Sequence, residues 1–531
     1  MPRAPASERR LSWLTLAALF LLLLVLAAWR PLAVPDEGRY GEIGRWMLQS
    51  GDWLAPRLNG IPFFHKPPYL YWLEAASLAV FGAQVWAVRL VPALHAGLML
   101  LALYLAGRSI AGERVARRAA LMLGTSLAFL IGGQYVNHDM LVAAWIGVAI
   151  WCFGLAFMHG ERPHANLARL GFVACALGVL SKGLIGLVLP GLALFLWLLW
   201  TRQFRKLLYL PWLSGLALFA LIAVPWFVLA EQRFPGMLAY LFGTQQFGRY
   251  TATTFNNARP WWFYLLCLLV LLFPWVFFAL YQAKVQVRRS SDAIVSVASK
   301  NGVSLCWIWL AAIIGFFSIP NSKLIGYALP VIPPLALLAA LGYERLLGGH
   351  RASRAVFAAL CALAIGVAVA ANVVAGRYSR GTGSLDVAQA LACAAAPGDR
   401  IYAVGEFPYD LPFYIQAQHP MIVVQDWPEL RRSAGDNWRR ELFEGADFDA
   451  GAAQVLQPPE ALAAARGQPG NWVLAPRGVA VDGFARVAQG SRWVLYRSAP
   501  AAGTLAPEGP EAAQHKGLPG CDHQGAEQRQ Q

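Results

Sequence analysis

The sequence predicts a polytopic α-helical membrane protein with a small α/β domain after its last span. Three observations predict it. Of 531 residues, 57% are hydrophobic or aromatic and only 14% are charged, against roughly 25% charged in soluble domains. The apolar residues gather into runs of about 20, enough to cross a hydrocarbon core. Basic residues fill every second connection between those runs, as the positive-inside rule requires.

The runs lie at 11–29, 86–106, 115–133, 140–158, 168–180, 184–200, 208–229, 261–281, 303–319, 324–341 and 355–375. About eleven spans result, and the fifth is the shortest. The first, "LSWLTLAALFLLLLVLAAW", lacks a small-residue cleavage site and is followed by further spans, so it reads as an anchor and not as a signal peptide.

The inner connections carry Arg3, Arg9 and Arg10, then Arg108, Arg114, Arg117 and Arg118, then Arg162 and Arg169, then Arg202, Arg205 and Lys206. Lys284, Arg288, Arg289 and Lys300 follow, then Arg345, Arg351 and Arg354. The net charge of +15 is thereby assigned to inner loops with anionic lipid headgroups as neighbours, not to nucleic acid. On the opposite face fall Asp36, Glu37, Lys66, Asp139, Lys182, Arg249, Lys323 and Tyr327. An odd number of spans places the C-terminal segment on that face too.

Five of the seven cysteines lie inside apolar runs, and Cys393 and Cys521 read as isolated. With no CxxC or Cys/His spacing, neither a structural zinc nor a redox motif is indicated. Beyond residue 376 the short runs "RIYAV", "MIVV", "NWVLA" and "RWVLYR" read as strands with room for helices between them. The organisation expected is a membrane domain at 1–376 with its first outer loop at 30–85, an α/β domain at 377–500, and a Pro-, Gly- and Gln-rich tail at 501–531 expected to be disordered. No repeat of 20–50 residues is visible.

The first outer loop opens with "VPDEGRYGEIGRWMLQSGDW", more charge than a linker needs. Pro35 before Asp36 and Glu37 marks a helix start, with carboxylates at the positive end of the dipole. Tyr40, Ile43, Met47 and Leu48 form an apolar stripe suited to a helix lying in the interface. "FFHKPPYLYW" then places Lys66 before a Pro67–Pro68 break and an aromatic helix. Taken singly, Asp36 and Asp139 could be helix-start carboxylates, Lys66 a snorkelling lysine and Lys182 a helix-end cation. Their convergence on one face points to function, because charge at membrane depth is costly and normally paired or functional.

"PDEGRYGEIGRWMLQSGDWLAPRLNG", "FHKPPYLYW", "HDM", "LSKGLIGLVLP", "FGRY", "RPWWFY" and "SKLIGYALP" closely resemble bacterial aminoarabinose transferases, relatives of protein O-mannosyltransferases with the GT-C fold. The resemblance covers roughly residues 11–340. It implies a bacterial inner-membrane enzyme, active on the periplasmic side, that moves 4-amino-4-deoxy-L-arabinose from an undecaprenyl-phosphate donor to lipid A. It implies catalytic positions at Asp36 and Asp139, with Glu37 beside the first. It implies donor-phosphate binding by Arg39, Lys66, Lys182, Arg249 and Tyr327. The family's metal ligands, a Glu before the loop lysine and a later His, are replaced by His65 and Gln246. No metal or other cofactor is therefore expected, although His65 remains a weak candidate ligand; a hydrogen bond from His65 to a carboxylate or a tyrosine is the other reading.

The residue chemistry agrees about phosphate. Breaking a sugar–phosphate bond leaves charge on the lipid phosphate, which preplaced cations stabilise. Two other readings stay open: mannosyl or hexosyl transfer to a protein or glycan hydroxyl, and a transporter or flippase of an anionic lipid. Against the last, inverted repeats are not apparent and the polar residues gather at one face instead of the midplane.

Overall fold

The structure is a computed structural model that describes residues 5–248, 257–287, 297–435 and 437–498. In chain order its first helices are α1 (Ala6–Ala27), α2 (Asp36–Ser50), α3 (Tyr69–Phe81), α4 (Val85–Ala111), α5 (Glu113–Gly124), α6 (Leu127–Leu130), α7 (His138–Met158) and α8 (Ala165–Lys182). They continue as α9 (Ile185–Trp200), α10 (Trp212–Arg233), the π-helix α11 (Ala239–Gly248), α12 (Phe263–Leu271), α13 (Val276–Val287), α14 (Val297–Ser318), α15 (Ile332–Leu347) and α16 (Ser353–Thr382). Among the described residues eight helices are long and apolar enough to cross a membrane. The chain is a multi-pass membrane protein.

Every predicted run meets a helix or a helix pair, with three departures. The run at 115–133 is broken into α5 and α6 with a 56° bend, where the Ser126 hydroxyl accepts from the Phe129 amide and restarts the helix. The run at 261–281 bends by 117° between α12 and α13; Pro274 lies in the break, and proline removes a ladder donor. The short helix is α9, with 16 residues, or roughly 24 Å of rise. The run at 168–180, expected to be shortest, belongs to the 18-residue α8.

Contacts divide the chain into two units. The first comprises Met1–Trp29, Asp52–Ala55 and Phe64–Val374. Its centre is α7, 89% buried along its most apolar stretch, whereas α1, α10 and α16 are only 22–28% buried. An apolar helix left so exposed on its outer side is what a lipid-facing position permits. At the basic end, Glu113 accepts from Ser12 at 2.5 Å and Tyr104 at 2.6 Å, tying α1, α4 and α5 together.

The second unit comprises Arg30–Gly51, Pro56–Phe63 and the chain from Ala375. Its sheet, ordered β5-β4-β3-β6-β8-β7, uses β3 (Arg400–Val404), β4 (Ile422–Val424), β5 (Leu456–Gln457), β6 (Asn471–Pro476), β7 (Phe484–Gln489) and β8 (Trp493–Ser498). The pairs β5–β4, β4–β3 and β3–β6 are parallel, and β8 joins β6 and β7 antiparallel. The helices α17 (Leu385–Ala394), α18 (Leu411–Tyr414), α19 (Trp427–Ser433), α20 (Glu441–Ala446) and α21 (Ala461–Ala465) connect them. Cys393, isolated on sequence reading, is disulfide-bonded; the pairing depends on tertiary proximity that spacing does not reveal. The tail at 501–531 lies outside the described residues.

The first-loop helix α2 belongs to this second unit. The sequence expectation of an interfacial helix with one apolar stripe is corrected here: Tyr40, Ile43 and Met47 are buried, but so are Glu37, Arg39, Glu42 and Arg45. Arg45 pairs with both Glu42 oxygens at 2.7 Å and donates to the Ala417 carbonyl at 2.8 Å. Gly38 lies so close to α18's start that a Cβ would reach the Asp410 backbone at 2.8 Å. After α2 come β1 (Arg57–Leu58) and β2 (Ile61–Pro62), joined at Asn59 and Gly60 with φ of 53° and 78°, a two-residue hairpin turn. The Asn59 carboxamide clamps Met421, donating to its carbonyl at 2.8 Å and accepting from its amide at 2.7 Å.

Candidate active site

In the membrane unit, consecutive antiparallel helices bring the start of α7 beside the end of α8. Asn137 caps α7 by accepting from the Asp139 amide at 2.9 Å. Gly183, at φ 95°, terminates α8 just after Lys182. The Lys182 ammonium is paired with the Asp139 carboxylate and lies 4.6 Å from the centre of the Tyr327 ring, a cation–π separation. Asn137 also donates to Asp139 Oδ2 at 3.1 Å. A side chain at Gly326 would collide with Asp139, so glycine is what lets the chain before α15 approach this carboxylate.

Beside the pair, His138 touches the Ser181 carbonyl at 2.7 Å and the Tyr71 hydroxyl at 3.1 Å. These contacts lock α3, α7 and α8 at one end. Asp139, Lys182 and Tyr327, grouped on one face by the sequence, are thus brought together. In the sequence Tyr71 belongs to the aromatic helix and His138 to the "HDM" motif, whereas Asn137 and Ser181 carry no motif of their own; the Asn before "HD" is a helix-cap signal.

A second chain of contacts runs through α11. His65 Nε2 is 2.9 Å from the Tyr240 hydroxyl, which also accepts from Gln245 at 2.9 Å. Gln246 Oε1 accepts from the Leu184 amide at 2.8 Å. Lys66 follows His65 and is half-buried. Arg249 lies outside the described residues. Lys323, grouped with the others by hydropathy, is buried and donates to the Arg259 carbonyl at 3.1 Å and to the Pro320 carbonyl.

In the second unit, Asp36 occupies the first turn of α2 with its side chain 34% exposed, and accepts from Arg39 at 2.5 Å. Arg39 is buried, bonds Glu441 through Nη1 and reaches the Tyr40 hydroxyl at 3.0 Å. Burial works against its charge, but Glu441 first, then Tyr40 and Asp36, more than offset it, and the guanidinium pKa rises. Glu37 is buried; Arg30 grips it at 2.5 and 2.9 Å and the Ala33 amide bonds it at 2.8 Å. This is the geometry of a buried ion pair.

The undecaprenyl phosphate-alpha-4-amino-4-deoxy-L-arabinose arabinosyl transferase 1 of Sodalis glossinidius is 31% identical over 441 residues, covering 81% of this chain and 73% of that protein. The chain belongs to the aminoarabinose transferase family. The family relative from Pseudomonas savastanoi pv. phaseolicola is 32% identical over 62% of this chain and 60% of its own length. The chain thus spans about three fifths of that relative. A family described as dolichyl-phosphate-mannose-protein mannosyltransferase matches residues 11–241. The crystal structure of ArnT from Cupriavidus metallidurans bound to undecaprenyl phosphate superimposes with a TM-score of 0.78 at 24% identity, covering 95% of this chain and 100% of that one. The expected GT-C fold is therefore present.

The two positions at which the resemblance departs from the family's metal ligands are engaged by other groups. His65 meets a tyrosine hydroxyl, and Gln246 spends its carbonyl oxygen on a backbone amide. A catalytic zinc takes about three protein ligands, and among the described residues no group of three His, Cys, Asp or Glu is placed to hold an ion.

Proposed function

We propose that the chain transfers 4-amino-4-deoxy-L-arabinose from an undecaprenyl-phosphate-linked donor to a phosphate of lipid A, at the periplasmic face of a bacterial inner membrane. The observation that carries this reading is the Lys182–Asp139 pair against Tyr327, built on family motifs. The names of the relatives supply the substrate class.

In the reaction the anomeric carbon–oxygen bond to the donor phosphate breaks, a bond to the acceptor oxygen forms, and undecaprenyl phosphate leaves with the electron pair. Lys182 and Lys66 hold the donor phosphate as its charge grows, with Arg249 added from the sequence motif. Tyr327 lies against the Lys182 ammonium and keeps it in place. Asp139 orients Lys182 and balances its charge when the donor is absent. A lipid A phosphate is already anionic and needs no base, so Asp36 stabilises positive charge on the sugar ring or orients the acceptor. The chemistry runs on these side chains without a metal.

The periplasmic placement rests on the alternation of basic connections and on the Cys393 disulfide, since such bonds persist in oxidising compartments. The test is mass spectrometry of lipid A from cells with and without the gene. Aminoarabinose-modified lipid A only with the gene supports the reading. Gene-dependent hexose on protein or glycan instead would favour the mannosyltransferase-like alternative, for which the family match at 11–241 speaks.

A further inference from the structure

We propose that Glu441 of the C-terminal domain is a positioning residue for Asp36, acting through Arg39. The proposal rests on the reading of Asp36 as a reaction carboxylate.

Arg39 stands between two carboxylates. Its Nη2 serves Asp36 at 2.5 Å and the Tyr40 hydroxyl at 3.0 Å, while Nη1 serves Glu441. A guanidinium is a rigid plane of donors, so fixing Nη1 fixes where Nη2 points. The plane is held further over the Tyr40 ring, 4.4 Å from its centre.

Glu441 is itself buried. It begins α20, and a Cβ on Gly445 of that helix would strike the Pro62 carbonyl, so α20 is seated directly on β2. On the other side, Gly38 lets α2 close onto Asp410. Arg39 is thus clamped between two elements in direct backbone contact with their neighbours. Asp36 accepts from Arg39 Nη2 through Oδ1 and is one-third exposed.

Without the charge of Glu441, Nη1 is held only by a neutral bond and both guanidinium edges can close on Asp36 in a fork-to-fork pair. The carboxylate would then be neutralised and turned inward. Glu441 takes Nη1 and so confines Arg39's hold on Asp36 to Nη2. Its neighbour Tyr409 is buried and donates to the Trp438 carbonyl at 2.8 Å, so it does not take over that task.

The experiment compares full-length wild type with the Glu441→Gln and Glu441→Asp variants in detergent or nanodiscs, by transfer kinetics and by hydrogen exchange at residues 33–40. Glu441→Gln is expected to lower kcat at least tenfold with KM changed less than twofold, and to speed exchange in the first turn of α2. Glu441→Asp, which keeps the charge, is expected to recover at least a third of the wild-type kcat and to melt like wild type. A folded Glu441→Gln variant with kcat within twofold of wild type overturns the proposal, as does a loss expressed in KM. So does an Asp variant no better than the Gln variant. If wild type transfers nothing, the functional reading falls and hydrogen exchange alone decides the positioning: unchanged exchange overturns it, and faster exchange supports it.

Discussion

The Lys182 ammonium is paired with the Asp139 carboxylate, with only 11% and 12% of the two side chains exposed. Removing one partner of such a buried pair leaves an uncompensated charge and costs about 3–5 kcal/mol. Lys182→Ala is therefore expected to lower thermal stability, and adding Asp139→Asn should restore it. Restored stability should not restore ligand binding. A charge-assisted contact contributes roughly 1.5–3 kcal/mol, so Lys182→Ala/Asp139→Asn and Lys66→Ala should each bind undecaprenyl phosphate more weakly by about that amount. Unchanged affinity in both would remove these lysines from the phosphate site.

Asp36 and Glu37 are adjacent in sequence and opposite in circumstance. Asp36 is one-third exposed, whereas Glu37 is buried against Arg30. Asp36→Asn is expected to melt within a degree or two of wild type and to lose at least a hundredfold in transfer, within the range for a positioned acid–base or electrostatic group. Glu37→Gln is expected to do the reverse, lowering stability by about 3 kcal/mol or more through the stranded arginine. Transfer measured on the folded fraction of the Glu37→Gln variant should stay near wild type. Full turnover by Asp36→Asn would reduce that residue to a helix-start carboxylate.

Most of the fold was legible because its signals are local. A run of about 20 apolar residues has few soluble explanations, and "RIYAV" became β3 residue for residue. What escaped carries little apolar signature. The strand β7 is largely exposed along its length, and β5 has two residues. The Asn59–Gly60 turn carries its own signal in the sequence, an Asn-Gly dipeptide. In the site, Asp139, Lys182 and Tyr327 could be grouped because the alternation of basic connections assigns every loop to a face. Glu441 could not be found this way. It lies 402 residues from Arg39, and only the burial of α2 in the C-terminal unit brings the two together.

We propose that transfer needs no metal, because His65 and Gln246 are engaged by the Tyr240 hydroxyl and the Leu184 amide. Exhaustive EDTA treatment of the purified enzyme is expected to leave transfer within twofold, and added zinc should not raise it. His65→Ala, which removes the contact to Tyr240 at 2.9 Å, is expected to loosen α11 and raise the donor KM. Chelator-sensitive activity restored by zinc, and abolished by His65→Ala, would mean that the chain has recruited other ligands.

The Cys393 disulfide offers a label for the side of the membrane. In intact cells a membrane-impermeant maleimide that passes the outer membrane is expected to leave Cys393 unmodified until a reductant is added, and to modify it afterwards. The free cysteines Cys152, Cys175 and Cys306 are buried in the membrane unit and should stay unlabelled in both conditions. Labelling of Cys393 only after inner-membrane lysis would place the C-terminal domain on the cytoplasmic side.

Asp410 gives the second unit a pH dependence with a definite sign. The carboxyl is buried, which pushes its pKa from 3.8 to about 6, while the Ser384 amide and hydroxyl bonds oppose the shift and nearby Asp386 adds to it. The folded state therefore keeps a proton through a window in which the unfolded chain has lost it. Where the folded state binds more protons, stability falls as pH rises. Asp410's contribution is thus most favourable below about pH 4 and is lost as pH climbs through about 6. Other carboxylates titrate nearby, so the informative quantity is the difference between wild type and Asp410→Asn. An asparagine there can accept from the Ser384 amide and donate to its hydroxyl, now bonded at 2.9 Å each, without ionising. The melting temperature of the variant is expected to rise relative to wild type between pH 4 and pH 6, and the gap to stay level above about pH 7. A gap that is flat across the window, or that narrows with rising pH, would show that Asp410 is already ionised in the folded protein at low pH.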